Sequence, residues 1–157
     1  MTTMTALSLQ QQQLLAQAQI SRALEDVARL DTQRAMLAAI AAGVRQQTLA
    51  DTLGVSQGAV SQRLKVARDA APVPEGFVGA SPREIAQRYA VRMIDRPTML
   101  QQLADWPYPP RDHSRANEEW NYVADAHPWD DVTDARRRGW ITDEDYDAIL
   151  DRRGYSR

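Results

Sequence analysis

Apolar positions along this chain recur at intervals of three and four residues, the period of a helix face, and nowhere alternate with polar ones long enough to predict a strand. Residues 7–30 predict one helix. Within it Leu9, Ala16, Ile20, Ala23, Val27 and Leu30 follow a three-four spacing, with Gln13 the polar exception inside a glutamine run at 10–13. Such a stripe predicts either a two-helix seam with another copy or packing onto the chain's own next unit. Asp31 either caps a further helix over residues 32–42, closed by Gly43, or lies inside a helix that runs straight through. Met36, Leu37, Ile40 and Val44 give this stretch an apolar face.

The pattern then tightens. Leu49, Ala50 and Leu53 fall at i, i+1 and i+4, on one face of a short helix. Gly54 ends it, because glycine enters the left-handed conformation of a sharp helix exit without a steric penalty. Val55 follows as an inward turn residue and Ser56 as an N-cap. In the helix that begins there, Val60, Leu64 and Ala67 recur at i, i+4 and i+7 as a narrow apolar stripe. Gln57, Ser61, Gln62, Lys65 and Arg68 occupy its other faces, a mixed set of donors and acceptors rather than an all-charged solvated surface. An ordinary helical hairpin in a core would give those polar groups no purpose.

The ordered set Ala50, Gly54, Val55, Val60 and Leu64 resembles the helix-turn-helix of phage repressors and Cro proteins, and of many bacterial and actinobacterial transcriptional regulators. The resemblance covers about twenty residues. It implies a three-helix DNA-binding unit whose second reader helix enters the major groove, where short polar side chains of the first turns reach base edges. On that reading Gln57, Gly58, Ser61 and Gln62 meet the bases. Gln46, Gln47, Thr48, Ser56, Arg63, Lys65 and Arg68 meet phosphates, which fix affinity and register.

Beyond the reader, residues 71–80 carry two prolines and two glycines and predict a linker that Phe77 and Val78 tack onto a neighbour. Ser81, Pro82 and Glu84 spell a capping box with proline at the first helical position, opening a helix to about Ile94. A short helix over 97–105 is closed by Pro107, Pro109 and Pro110. Residues 111–127 are polar, with helical character around 116–124. Helices over 128–138, stopped by Gly139, and over 143–153, capped by Thr142, complete the chain. Residues 138–146 resemble the short C-terminal oligomerisation motif SHOCT, with its Gly-x-Ile-Thr turn and acidic helix start. Ile94, Asp95, Met99 and Leu103 return 47 positions later as Ile141, Thr142, Tyr146 and Leu150, either two copies of one helical hairpin or a coincidence.

The expected architecture is all-α: an N-terminal helix for dimerisation (1–30), a helix-turn-helix unit (31–70), a linker (71–80) and a helical module for self-association or a protein partner (81–157). Composition narrows the function further. No cysteine is present, which excludes disulfides and zinc-thiolate sites. Neither a long apolar run nor a secretory leader is visible, so the expected compartment is the cytoplasm, with no membrane partner. The net charge is −2, but residues 31–70 hold five basic against three acidic side chains and residues 111–157 eight against twelve. A reader this weakly basic needs the doubled phosphate contacts of a dimer. His113 and His127 stand beside no nucleophile pattern, the acidic pairs Asp130-Asp131 and 143–147 suit helix N-termini, and no phosphate loop occurs, so neither catalysis nor a metal or cofactor is expected. All four tryptophans fall in the last third, where they either complete a small core or form a binding surface. The expected function is a dimeric repressor on double-stranded DNA. Rival readings are an antitoxin whose tail neutralises a toxin, and a DNA-packaging protein assembled as a ring.

Overall fold

A computed structural model describes residues 6–110 and 127–155, and over these the protein is all-helical. The elements are α1 (Leu9–Ala41), α2 (Gln46–Leu53), α3 (Gln57–Asp69), α4 (Pro82–Ala90), α5 (Arg96–Asp105), α6 (Pro128–Arg137) and α7 (Asp143–Arg152). No strand occurs among the described residues. His113, Trp120, Tyr122 and the helical stretch expected near 116–124 lie outside them.

Two compact units divide the chain: residues 24–72, and residues 1–23 with 73–157. The long helix α1 is common to both. Its 33 residues continue through Asp31, so the alternative of a straight run describes it and no helix begins at Thr32. Thr32 instead donates its hydroxyl to the Ala28 carbonyl one turn back, at 2.8 Å, so its side chain is satisfied within the helix.

In the smaller unit, Met36 of α1 closes on Leu49 and Ala50 of α2 and on Val60 and Leu64 of α3, with Leu37, Ile40, Val44 and Val55 half-buried around them. Ala50, 1 % exposed, keeps the crossing tight. Leu53 departs from expectation. It is 39 % exposed, because it sits in the last turn of α2, beyond the edge of a core that closes on Leu49 and Ala50.

The larger unit is two helical hairpins, α4–α5 and α6–α7, with α4 packed on α6 and α5 on α7. Ile85, Ala86, Met99, Leu103, Val132, Ala135, Ile141 and Ile149 fill its centre. Trp106 and Trp140 are buried in that core, as the core-completing reading expects, and Trp129 packs half-buried against it. The stretch expected as a linker is not free along its length. Phe77 meets Trp106 edge-on at 4.9 Å, while the Val78 N–H donates to Gln102 Oε1 and Gln102 Nε2 donates to the Gly76 carbonyl, each at 2.8 Å.

Ser81 caps α4 by accepting the Glu84 N–H, but the reciprocal half of the expected box is absent. The buried Glu84 carboxylate reaches past the cap to the Ala80 N–H at 2.8 Å and accepts Arg88 at 2.9 Å. The helix also ends at Ala90 rather than Ile94, because Arg92 turns left-handed (φ 64°) and the Met93 N–H closes on the Arg88 carbonyl. That is a glycine's conformation held by an arginine.

Candidate nucleic-acid interface

The turn between α2 and α3 forms as the residues require. Gly54 adopts φ 65°, ψ 34°, and the Val55 N–H returns to the Ala50 carbonyl at 3.1 Å, satisfying the end of α2. Ser56, in extended backbone, accepts the Ala59 N–H on its hydroxyl at 3.1 Å and so fixes the first turn of α3. Val60 and Leu64, both 0 % exposed, and the buried Ala67 then anchor one side of the helix. These constraints set which side faces outward.

At 3.6 residues per turn, Gly58, Gln62 and Lys65 fall opposite the buried stripe, with Gln57, Ser61 and Arg68 along one flank. All six are exposed. Gln57, Gly58, Ser61 and Gln62 therefore share the first two turns of one open surface, with Lys65 and Arg68 one and two turns further along. Arg63 is exposed on the opposite flank and does not join them. Among the expected phosphate contacts, Ser56 already spends an acceptor lone pair as the cap, leaving its O–H to donate outward.

The start of α2 presents the remaining candidates. Gln47 and Thr48 are exposed and Gln46 half-buried. Gln47 donates one amide hydrogen to Asp51 at 2.8 Å, which leaves its second hydrogen free of that bond. The N-cap of α2 is Arg45, whose side chain makes no capping bond, so the first-turn N–H groups lack a side-chain acceptor. Arg45 is an exposed cation at that amide-rich end and belongs with the phosphate candidates; only its place one residue before the helix start could have signalled it.

Gly58 is informative by what does not surround it. A Cβ built there would meet only the Ser56 hydroxyl at 3.9 Å, and its backbone is ordinary helix. Nothing inside the protein requires glycine. A helical glycine costs about 0.5–1 kcal/mol relative to alanine.

Elsewhere, a cavity of about 550 Å³ in the larger unit is lined by Tyr108, Pro109, Pro110, His127, Trp129, Leu150, Arg153 and Tyr155. Its polar groups are engaged by the fold. His127 Nδ1 accepts the Trp129 N–H at 3.1 Å while Nε2 donates to the Pro109 carbonyl at 2.7 Å. Arg153 donates to the Ala104 carbonyl at 2.8 Å and lies over the Tyr108 ring. Burial pushes the Tyr108 phenol well above its ordinary pKa against the opposing charge of Arg153, and its hydroxyl donates to the Leu103 carbonyl at 2.8 Å. Among the described residues no cluster of histidine and carboxylate side chains is arranged to hold a metal ion, and no helix is long and apolar enough to cross a membrane.

No protein-family model, curated protein or solved structure matches this chain.

Proposed function

We propose that this protein is a sequence-specific regulator of transcription, a dimeric repressor that lays α3 in the major groove of double-stranded DNA. The observation that carries the reading is the open polar edge of α3, Gln57, Gly58, Ser61 and Gln62, on a helix whose other side is anchored by Val60 and Leu64. Glutamine offers a donor and an acceptor in the geometry of an adenine edge, and a good bidentate pair discriminates by about 1–3 kcal/mol. Gly58 supports the same reading, since a position that the fold leaves open and glycine destabilises suits the close approach of an external surface. Lys65, Arg68 and the uncapped start of α2 suit phosphates on either side of that edge.

The test is fluorescence anisotropy on a duplex selected from a random pool, set against a scrambled duplex. Gln57→Ala and Gln62→Ala are expected to lose about 1–3 kcal/mol on the selected duplex and little on the scrambled one. Lys65→Ala is expected to weaken both evenly. Equal losses on both duplexes for the glutamine variants would remove base reading from α3.

A further inference from the structure

The first 14 residues of α1, residues 9–22, are exposed at every position. They are not polar. Leu9 is 71 % exposed, Leu14 58 % and Leu15 51 %, and Leu7, just ahead of the helix, 49 %. A helix of about 12–15 residues is marginal in water without packing, yet this one is defined from its first residue. Ser8 accepts the Gln11 N–H at 3.2 Å and donates its own N–H to Gln11 Oε1 at 2.8 Å, a reciprocal cap that commits the segment to helix locally.

The apolar groups lie on two opposite sides of the helix. Leu9, Ala16 and Ile20 continue the line of Ala23 and Val27, which are buried within the protein. Leu14 and Ala18, flanked by Leu15, lie on the side facing away from that line. That second side gives way at Arg22, Glu25 and Arg29 to charged residues, so it is apolar only in this segment. The side of α1 on which Ala23 and Val27 are buried is the other one.

Charge identifies the occupant. Residues 1–21 contain no charged side chain, and the polar positions between the leucines are glutamines at 10–13, 17 and 19. A partner of either sign has nothing here to pair with. An identical segment meets this one without like-charge repulsion, and each glutamine amide, donor and acceptor at once, is complementary to another glutamine. Self-complementarity is the condition of a two-fold interface. We infer that a second copy of this chain docks on the Leu14, Leu15 and Ala18 face of α1. This locates the joining surface of the dimer in the proposed function, but it is argued from α1 alone. Fourteen helical residues span about 21 Å, which limits the area the two copies can bury along this segment.

Sedimentation velocity across a concentration series, without DNA, tests the face and leaves the α3 reading untouched. The native chain is expected to self-associate, Leu14→Glu to weaken association at least tenfold, and Leu9→Glu, on the opposite side, to leave it within about threefold. Because the native chain lacks cysteine, Ala18→Cys supplies a unique thiol at the centre of the face. A bis-maleimide is expected to join two copies of it and not of Glu144→Cys, an exposed position on α7. This second readout decides the matter if Leu14→Glu melts the protein. A native chain that stays monomeric, equal effects of Leu14→Glu and Leu9→Glu, or equal crosslinking of the two cysteine variants would each overturn the inference.

Discussion

Gly58 is where stability and proposed function pull apart most cleanly. With open space at its Cβ and an ordinary helical backbone, Gly58→Ala is expected to raise stability by about 0.5–1 kcal/mol in urea unfolding. The same change puts a methyl group between α3 and whatever approaches it, so affinity for the selected duplex should fall while the protein melts higher. A variant that gains stability and keeps full affinity would mean that nothing comes close at this position. Gly79 shows the contrasting case: a Cβ there would stand 3.0 Å from the Cβ of the buried Glu84, so its glycine answers to the fold. Both were visible in the sequence as glycines, but only coordinates separate a glycine the core demands from one it merely tolerates. The caps were legible because serine and threonine act locally on the next turn, as Ser56, Ser81 and Thr142 do. Arg96 reaching the buried Asp145 at 2.6 Å was not, since 49 residues separate them.

At the scale of elements, the two hairpins of the larger unit repeat one another more closely than the sequence echo shows. Ser81 and His127 cap helices that open on proline, Pro82 and Pro128, and Asp95 and Thr142 cap the second helix of each pair. The turn repeats as well: Arg92 at φ 64° stands 47 positions before Gly139 at φ 73°, and the next N–H returns to Arg88 and to Ala135. Glycine is free in that conformation and arginine is strained by about 1–2 kcal/mol. Arg92→Gly is therefore expected to raise the melting temperature, by up to about 1 kcal/mol in free energy after the added freedom of the unfolded chain is subtracted. Gly139→Ala should lower it, and if both changes act in the same direction the strain argument fails. The sequence pointed to a helix running to Ile94 because no glycine marks its stop; the arginine conceals it.

Packing of α4 on α6 also contributes to how stability depends on pH. Arg83 gives its backbone N–H to Asp131 at 3.4 Å and its guanidinium to Asp134 at 3.0 Å. Burial raises the pKa of Asp131, and the Arg83 contacts do not reverse it. Burial acts upward on Asp134 too, but Arg138, Arg137 and Arg83 outweigh it and hold that carboxyl below its ordinary value. The two residues therefore couple to pH with opposite sign. An acid whose folded pKa is raised binds more protons folded than unfolded, so ionised Asp131 opposes folding near neutrality. Asp131→Asn should stabilise at pH 7, with the gain shrinking as pH falls through the raised pKa. Asp134 stabilises above the ordinary carboxyl pKa of 3.8 and loses that contribution as pH falls below it, so Asp134→Asn should be destabilising at pH 7 and nearly neutral in acid. Melting curves between about pH 3 and 7 should show the two variants moving toward the native chain from opposite sides.

At the scale of the whole molecule, periodicity revealed the helices but not their grouping. The sequence left Asp31 as either a cap or a position inside a continuous helix; only Gly43 (φ 90°) breaks the chain, and α1 carries one unbroken backbone through both compact units. The proposed reader edge was legible because the two short helices and the turn between them are encoded within about twenty residues. The proposed joining to a second copy is not local, and the salt dependence of DNA binding would expose it. A protein that neutralises Z phosphates loses affinity with a log–log slope of about −0.9Z on duplex DNA, so each lysine removed from a phosphate flattens the slope by about 1. Lys65 is the chain's single lysine and is exposed on α3. If one copy binds, Lys65→Ala should flatten the slope by about 1; if two copies bind a two-fold site through both α3 helices, by about 2. Combining Lys65→Ala with Leu14→Glu separates the links, since a dissociated protein should show the single-copy change at protein concentrations where the native dimer shows the double. A slope unmoved by Lys65→Ala in either background would place that lysine away from the phosphates, and with it the orientation of α3 proposed above.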